Sequence, residues 1–281
     1  MLFCFLTLCA DGDFMKNDVM TDALFEAKIT ELAKRAEKYR EGYSSFLTPK
    51  EQIISARIIA GGHFDCVSFF YGGFDGSERN RLFVLPEYMA IEEYSAKSVA
   101  EAYPSLVSEA VVPVKVQGSG YKKLSHRDYL GSLLGLGIER SVVGDIAILD
   151  EYSAVVFCDR KISEYILTEL KKIGSDTVKT KLFELPEDFE VKREFQSISD
   201  TVASARFDCV VSALCGLSRE KAQNIIRIGE AELDYFSEDR PDRSVSEGSI
   251  ISVRGHGKFV VVSLSEQTKK GRLRLLANKY I

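Results

Sequence analysis

Residues 205–229 read ARFDCVVSALCGLSREKAQNIIRIG, and this stretch decides the fold of the C-terminal part of the chain. Apolar side chains recur there at helical spacing in two short runs. The first run contains Phe207, Val210, Val211 and Leu214, and the second contains Ala222, Ile225 and Ile226. Gly216 ends the first helix, Ser218 caps the second, and Gly229 closes it. The sequence therefore predicts two short amphipathic helices joined by a tight turn.

Strands are expected after the two helices, where the chain also becomes basic. We predict strands at Ala231–Tyr235, Ser249–Arg254, Lys258–Leu264 and Arg272–Leu276. In the last of these, Arg272 and Arg274 alternate with leucines, so one face is buried and the other is basic. The chain has a net charge of −5, yet residues 192–281 carry 15 Lys and Arg against 12 Asp and Glu. A basic end on an acidic body indicates an oriented contact with a polyanion.

A candidate site for RNA phosphates lies on the second helix and on the hairpin beyond it. Arg219, Gln223 and Arg227 recur every four residues and so form one stripe, and the start of this helix favours an anion. Gly255 and Gly257 flank the hairpin and let RNA approach closely. The predicted RNA-binding residues are Arg206, Ser218, Arg219, Lys221, Gln223, Arg227, Arg254, His256, Lys258, Lys269 and Lys270. The alternative interpretation is an ordinary solvated helix face.

The middle of the chain, residues 91–189, has the pattern of a ferredoxin-like (RRM-like) sandwich, which is strand, helix, strand, strand, helix, strand. The predicted strands are Val111–Val116, Asp145–Leu149, Ala154–Cys158 and Val178–Leu185. The first predicted helix is capped by Ser125, and its residues Leu130, Leu133 and Leu134 are expected to face inward. The second predicted helix is Lys161–Lys172. RNA-recognition modules with this fold stack bases on aromatic residues of the sheet, and no strand here carries their motif. Lys122, Lys123 and Arg127 are candidates for a secondary RNA contact.

The first part of the chain, residues 21–90, predicts an N-terminal α+β domain. A helix is expected over Thr21–Arg40, and a second helix begins at Thr48, which with Glu51 forms a capping box. Two strands follow, at Phe64–Tyr71 and Arg81–Leu85. Residues 1–20 are expected to be a disordered or mis-assigned start, with Met15 or Met20 as the true first residue. The fold class is therefore α+β and multi-domain, with domains at 21–90, 91–189 and 192–281.

Several classes of site and location are excluded by composition and spacing. The six cysteines and three histidines lack the paired spacing of metal ligands, so we expect no metal and no cofactor. No apolar stretch reaches the roughly 20 residues that a membrane helix needs. His126-Arg127-Asp128 begins a capped helix, where a structural role is favoured over catalysis. We expect a cytoplasmic protein with no catalytic residues.

One triplet, Arg206-Phe207-Asp208, supports an enzymatic alternative. RNA pseudouridine synthases use the aspartate of an Arg-Leu-Asp sequence as their catalyst. The alternative function is an RNA-modifying enzyme (pseudouridine synthase-like) whose catalytic domain is residues 91–189 and which uses the C-terminal domain for targeting. Here the triplet opens the first amphipathic helix, and we expect Asp208 to pair with nearby residues instead.

Residues 205–251 resemble the RNA-binding domain first named for ribosomal protein S-four. The matching positions are Ala205–Asp208, Leu217–Gln223, Ile226, Gly229, Ala231, Leu233, Val245, Gly248 and Ile251. The resemblance implies RNA contacts by the residues after the Ser218-Arg219 step and by Lys258 on the basic hairpin. The chain departs from the pattern at Asp234-Tyr235, where Asn-Gly is typical, and in a longer acidic loop at Ser237–Arg243.

From about Asp22 onward the chain resembles the YlmH proteins, which carry an S-four-type domain at their C-terminus. The resemblance rests on residues 46–52 (FLTPKEQ), 77–81 (SERNR) and, above all, 125–140 (SHRDYLGSLLGLGIER). It implies a cytosolic bacterial protein, encoded near cell-division genes, that rescues stalled large ribosomal subunits by binding peptidyl-tRNA and ribosomal RNA. The expected partners are structured RNA (rRNA and tRNA) and the large ribosomal subunit, with no DNA.

Overall fold

Three antiparallel sheets, each packed against helices, make up the part of the chain that the computed structural model describes. That part comprises residues 23–186, 189–191, 194–264 and 271–281, so the expected start at Met15 or Met20 lies outside it. The mixture of helices and antiparallel sheets confirms the predicted α+β class. The domain limits at residues 90, 91, 189 and 192 stay a prediction.

The N-terminal unit, residues 23–86, contains a three-stranded sheet of order β1-β3-β2. Its elements are α1 (Ala23–Ala36), β1 (Gly42–Leu47), α2 (Pro49–Gly62), β2 (Cys66–Tyr71) and β3 (Asn80–Pro86). The start of α2 has the predicted capping box, because Glu51 N–H donates to Thr48 Oγ1 (3.3 Å) and Thr48 N–H donates to Glu51 Oε2 (2.7 Å). The sequence pattern misses β1, because a register shift between Tyr43 and Phe46 interrupts its alternation.

The middle unit, residues 112–182, contains a five-stranded sheet of order β5-β6-β4-β8-β7. Two short helices precede it, and the whole segment consists of α3 (Ala96–Ala102), α4 (Pro104–Ala110), β4 (Val112–Gly118), α5 (His126–Gly135), β5 (Val143–Asp150), β6 (Ser153–Cys158), α6 (Arg160–Glu169), β7 (Lys172–Ile173) and β8 (Asp176–Leu182). The strands and helices follow one another in the predicted order, with the two-residue β7 added. Helices α3 and α4 were outside the prediction.

Two details of the middle unit correct the sequence-based prediction. Leu134 does not face inward; it is 43% exposed, and Tyr129 is fully buried in its place. Because α5 begins at His126, positions 129 and 133 share the face turned toward the sheet. Helix α6 ends at Glu169 instead of Lys172, because the next residues form β7 and turn at Gly174 (φ 58°) into β8.

Strand β6 is buried from both sides along its whole length. Val156 packs into the core formed with α5 and α6, whereas Val155 and Phe157 point to the opposite face. That face is covered by the N-terminal unit and by α3 and α4, and the ring of Phe74 lies 4.9 Å from that of Phe157. The half of the sheet that contains β6 is therefore a shared core between two units.

The C-terminal unit, residues 194–281, contains a six-stranded sheet of order β11-β10-β12-β13-β14-β9. Its elements are β9 (Phe195–Val202), α7 (Phe207–Cys215), α8 (Arg219–Arg227), β10 (Ala231–Leu233), β11 (Phe236–Ser237), β12 (Ile250–Val253), β13 (Gly257–Ser263) and β14 (Leu273–Tyr280). The two predicted amphipathic helices are present, and Phe207, Ala222 and Ile226 lie in the core. Strand β9, which the sequence pattern misses, pairs with β14 along eight residues.

The three units meet at the loop before β3. The N–H groups of Glu78 and Arg79 donate to the carboxylate of Asp145 in the middle unit, at 2.6 and 3.2 Å. The carboxylate of Glu78 in turn accepts from Nζ of Lys258 in the C-terminal unit (3.1 Å). One short loop therefore links all three units through charged side chains.

We predict that Gly73→Ala destabilises the protein more than Gly76→Ala. Both glycines have positive φ (109° and 82°), so both changes strain the backbone, by roughly 1–3 kcal/mol. A Cβ at position 73 would also lie 2.4 Å from the ring of Phe157, whereas one at position 76 meets nothing within 4 Å. Overpacking adds about 1–3 kcal/mol at position 73 alone. Urea unfolding of both variants measures the difference, and equal free energies of unfolding would contradict the packing described for β6.

Candidate nucleic-acid interface

Asp208 lies at the centre of the candidate interface, fully buried at the start of α7. Its carboxylate accepts hydrogen bonds from Arg206 Nε (3.1 Å), Arg219 Nε (3.1 Å) and Gln223 Nε2 (2.7 Å). Its N–H donates to the carbonyl of Pro241 in the loop before β12. The local pairing predicted for Asp208 is confirmed, and its partners are three of the predicted RNA-binding residues.

The charge of Asp208 is held in place by these donors. Burial alone would raise the pKa of Asp208, but the hydrogen bonds from Arg206, Gln223 and Arg219 keep that pKa well below its usual range. The two arginine side chains remain 41% and 53% exposed. A buried anion thus fixes the stems of two guanidinium groups whose outer parts face solvent.

Helix α8 presents further cations on its exposed side. Ser218 caps the helix as predicted, because its hydroxyl accepts from the N–H of Lys221 (3.3 Å). Lys221 and Arg227 are exposed, and neither has an ion-pair partner among the residues that the structure describes. Glu220 is also exposed, so the surface is not purely basic.

An open cleft of about 380 Å³ lies between the α7–α8 turn and β9. Gly216, Leu217 and Arg219 line it on one side, and Thr201 and Arg272 line it on the other. The guanidinium of Arg272 donates to the hydroxyl and the carbonyl of Thr201. Sequence reasoning placed Arg272 on a basic strand face but did not join it to the Arg219 surface, because no local signal reports that β9 brings the two together.

The β12–β13 hairpin places its three predicted residues differently. Arg254 is 80% exposed and lies near Glu230, at the end of α8 (Nη1 to Oε1 3.4 Å). His256 is partly exposed at the tip. Lys258 is only 24% exposed, because Glu78 and the rings of Tyr235 and Tyr280 surround its ammonium group. An RNA contact by Lys258 stays a prediction.

The remaining predicted residues lie elsewhere or cannot be placed. Lys122 and Arg127 are exposed beside the start of α5, but Lys123 is paired with Glu151. The side chain of Asp128 accepts from Ser125 in a capping box, so the structural role predicted for this triplet is confirmed for Asp128. Lys269 and Lys270 lie outside the described residues.

Two other features are absent from the described residues. No group of three His, Cys, Asp or Glu side chains there is placed to hold a metal ion. No helix in the same part of the chain is long and apolar enough to cross a membrane.

The chain is similar to known proteins both in its middle part and along most of its length. A sequence family described as "Putative RNA-binding domain in YlmH" matches residues 111–187. The chain is also 28% identical over 239 residues to the ribosome-associated protein quality control protein P2 of Bacillus subtilis (strain 168), covering 85% of this chain and 87% of that protein.

The middle part of the chain is therefore similar to the RNA-binding domain of the YlmH proteins. The solved structure of the cell division protein ylmH from Streptococcus pneumoniae is similar to this chain at 21% sequence identity, with a TM-score of 0.47. That likeness covers 62% of this chain and 97% of the Streptococcus chain.

We predict that Asp208→Asn lowers the free energy of unfolding at pH 7 by roughly 1–3 kcal/mol, because it removes the charge that binds two exposed arginines. The folded-state pKa of Asp208 is depressed, so its contribution is present above the unfolded pKa of about 3.9 and is lost as pH falls further. The difference in free energy of unfolding between wild type and variant should therefore become smaller as the pH is lowered from 7 to 3. Denaturant unfolding at both pH values measures it.

Asp239→Asn is the matched control, because Asp239 is an exposed carboxylate of the same unit. It should leave stability unchanged at both pH values. If the difference in free energy of unfolding between wild type and Asp208→Asn does not change with pH, the ionised, paired state of this carboxylate is contradicted.

Proposed function

We propose that this protein is a member of the YlmH family and a non-catalytic, cytoplasmic RNA-binding factor, and that it associates with the large ribosomal subunit through the surface of α8. We name this surface the α8 surface; it consists of Arg206, Ser218, Arg219, Lys221, Gln223, Arg227 and Arg254. The observation that carries the proposal is the clamp on Asp208, which holds Arg206 and Arg219 beside the start of α8.

The clamp suits phosphate binding for two reasons. Arg219 bonds Asp208 through Nε, and its terminal nitrogens have no hydrogen-bond partner within the described residues. A guanidinium fixed in advance loses less side-chain entropy on binding and keeps donors for paired contacts to phosphate. The free N–H groups at the start of α8 add a partial positive charge beside it.

The ribosome is the proposed location because of the relative that the chain resembles along most of its length, whose name describes a ribosome-associated quality control protein. Ribosomal RNA and tRNA are the folded RNAs available there. We further propose that the bound state is a stalled large subunit carrying peptidyl-tRNA. A link to cell division belongs to the same proposal.

The alternative function is an RNA-modifying enzyme that uses the C-terminal domain for targeting, and the one aspartate whose sequence resembles the catalyst of such enzymes, Asp208, is unsuited to that role. A catalytic aspartate must reach its substrate, whereas Asp208 is fully buried and both its oxygens accept hydrogen bonds. Mass spectrometry of RNA incubated with the protein distinguishes the two functions, because only the enzyme would leave a modified nucleoside.

We predict that Lys221→Glu with Arg227→Glu releases the protein from large ribosomal subunits without unfolding it. These residues are chosen because Arg219 and Lys258 have internal partners, Asp208 and Glu78, whose pairing a charge reversal would disrupt. Each lost phosphate contact should reduce the slope of log K against log salt by about 1. Sedimentation through sucrose gradients at several salt concentrations measures release.

Lys28→Glu with Lys38→Glu is the control, since both lysines are exposed in or just after α1 and the charge change is the same. The control should sediment with the subunits as the wild type does. If the Lys221 and Arg227 variant still sediments with them, the α8 surface is the wrong face.

A further inference from the structure

The outer face of the middle sheet, opposite α5 and α6, is covered over only half of its width. Val155 and Phe157 of β6 are buried there beneath the N-terminal unit. On β8 the outward residues are Thr177, Lys179 and Lys181, and all three are exposed. The covered half includes β6, the neighbour of the central strand β4, so bases cannot stack on β6 as they do on the sheets of RNA-recognition modules.

The open half, on β4, β8 and β7, is basic. Strand register places Lys115 opposite Lys181, Gln117 opposite Lys179, and Lys172 opposite Thr177. Directly opposite residues share a face of the sheet. We name the open half the lysine face, and its members are Lys115, Gln117, Lys172, Thr177, Lys179 and Lys181. No acidic residue occupies any of these positions.

The lysine face is not neutralised by ion pairs within the described residues. No carboxylate lies within 4 Å of any of its four ammonium groups there, in contrast to Lys123, which pairs with Glu151. Lys115 lies over the ring of Phe183 at 5.9 Å and interacts at longer range with Asp150, whose carboxylate is bound by Ser153. Like charges directly across a strand pair, as at Lys115 and Lys181, destabilise a sheet. A bound polyanion would remove that repulsion.

We propose that the lysine face binds the phosphate backbone of RNA, as a second contact separate from the α8 surface. Positions two apart on a strand are about 6.6 Å apart and neighbouring strands about 4.8 Å apart, so the face is a flat array of charges suited to an extended polyanion. With no aromatic residue among its members, it reads backbone and not base sequence. An acidic protein is the less suitable partner, because protein interfaces have an apolar centre and the lysine face has none.

An independent observation supports RNA as the occupant. The family described as a putative RNA-binding domain matches residues 111–187, and every strand of the lysine face lies within that range. The inference rests on the proposed function, because both take RNA as the ligand. The lysine face lies in the middle unit and the α8 surface in the C-terminal unit, so either contact can be absent without the other.

The test compares the full-length triple variant Lys172→Glu, Lys179→Glu, Lys181→Glu with a control triple, Lys28→Glu, Lys38→Glu, Lys161→Glu. All six lysines are exposed, so the charge change is the same on both surfaces. The probe is protein-free large-subunit ribosomal RNA, titrated at several salt concentrations by filter binding. We expect the lysine-face triple to bind more weakly and its salt slope to fall by about 2–3, because each lost contact contributes about 1. The control triple should match the wild type.

Two further variants keep the result interpretable. The first is a glutamine triple, Lys172→Gln, Lys179→Gln, Lys181→Gln, which removes the positive charges without adding negative ones. It should show the same decrease in salt slope, and it replaces the glutamate triple if that variant does not fold. The Lys221 and Arg227 variant, titrated in parallel, tests the α8 surface separately. If both lysine-face triples bind the RNA with the affinity and salt slope of the wild type, the inference is overturned. This holds even if the triples bind ribosomes less well, since an acidic protein would then be the partner. Loss in the triples with an unchanged Lys221 and Arg227 variant would support the lysine face and overturn the α8 surface.

Discussion

The burial of β6 from both sides is the constraint on which the arrangement of the chain depends. A strand covered on one face by α5 and α6 and on the other by the N-terminal unit cannot present its side chains to a ligand. The close approach of Gly73 to Phe157 shows how little space separates the two units. The middle sheet can therefore bind a ligand only through strands other than β6.

In the C-terminal unit, a buried charge organises the surface. Asp208 joins the start of α7 to two positions of α8, and its N–H joins both to the loop before β12. Removing a carboxylate from water is costly unless donors surround it, and here two of the three side-chain donors are cations that continue to the surface. The same interaction therefore stabilises the packing of the two helices and fixes the direction of the guanidinium groups.

Local signals in the sequence were sufficient for the helix starts but not for the contacts between units. The predicted caps are present at the starts of three helices, because a cap depends on residues within one turn. They are formed by Thr48 with Glu51, by Ser125 with Asp128, and by Ser218. Strands β1 and β9 were missed because their pairing, and not their own alternation, makes them strands. The partners of Lys258 could not be predicted either, since Glu78 precedes it by 180 residues. The convergence of Arg219 and Gln223 on Asp208 has a similar origin. Their stripe with Arg227 was visible in the sequence, but its common anchor with Arg206 required the packing of α7 against α8.

The loop at Glu78 and Arg79 has a consequence for selectivity. This loop contacts Asp145 in the middle unit and Lys258 in the C-terminal unit, and these contacts favour one separation of the two units. Two cationic surfaces at a set separation gain from simultaneous engagement only when the ligand spans that distance. A stiff, folded RNA of matching dimensions would satisfy both at once, whereas a flexible single strand would first have to give up conformational entropy. Selection by the ligand's rigidity then needs no base-specific contact.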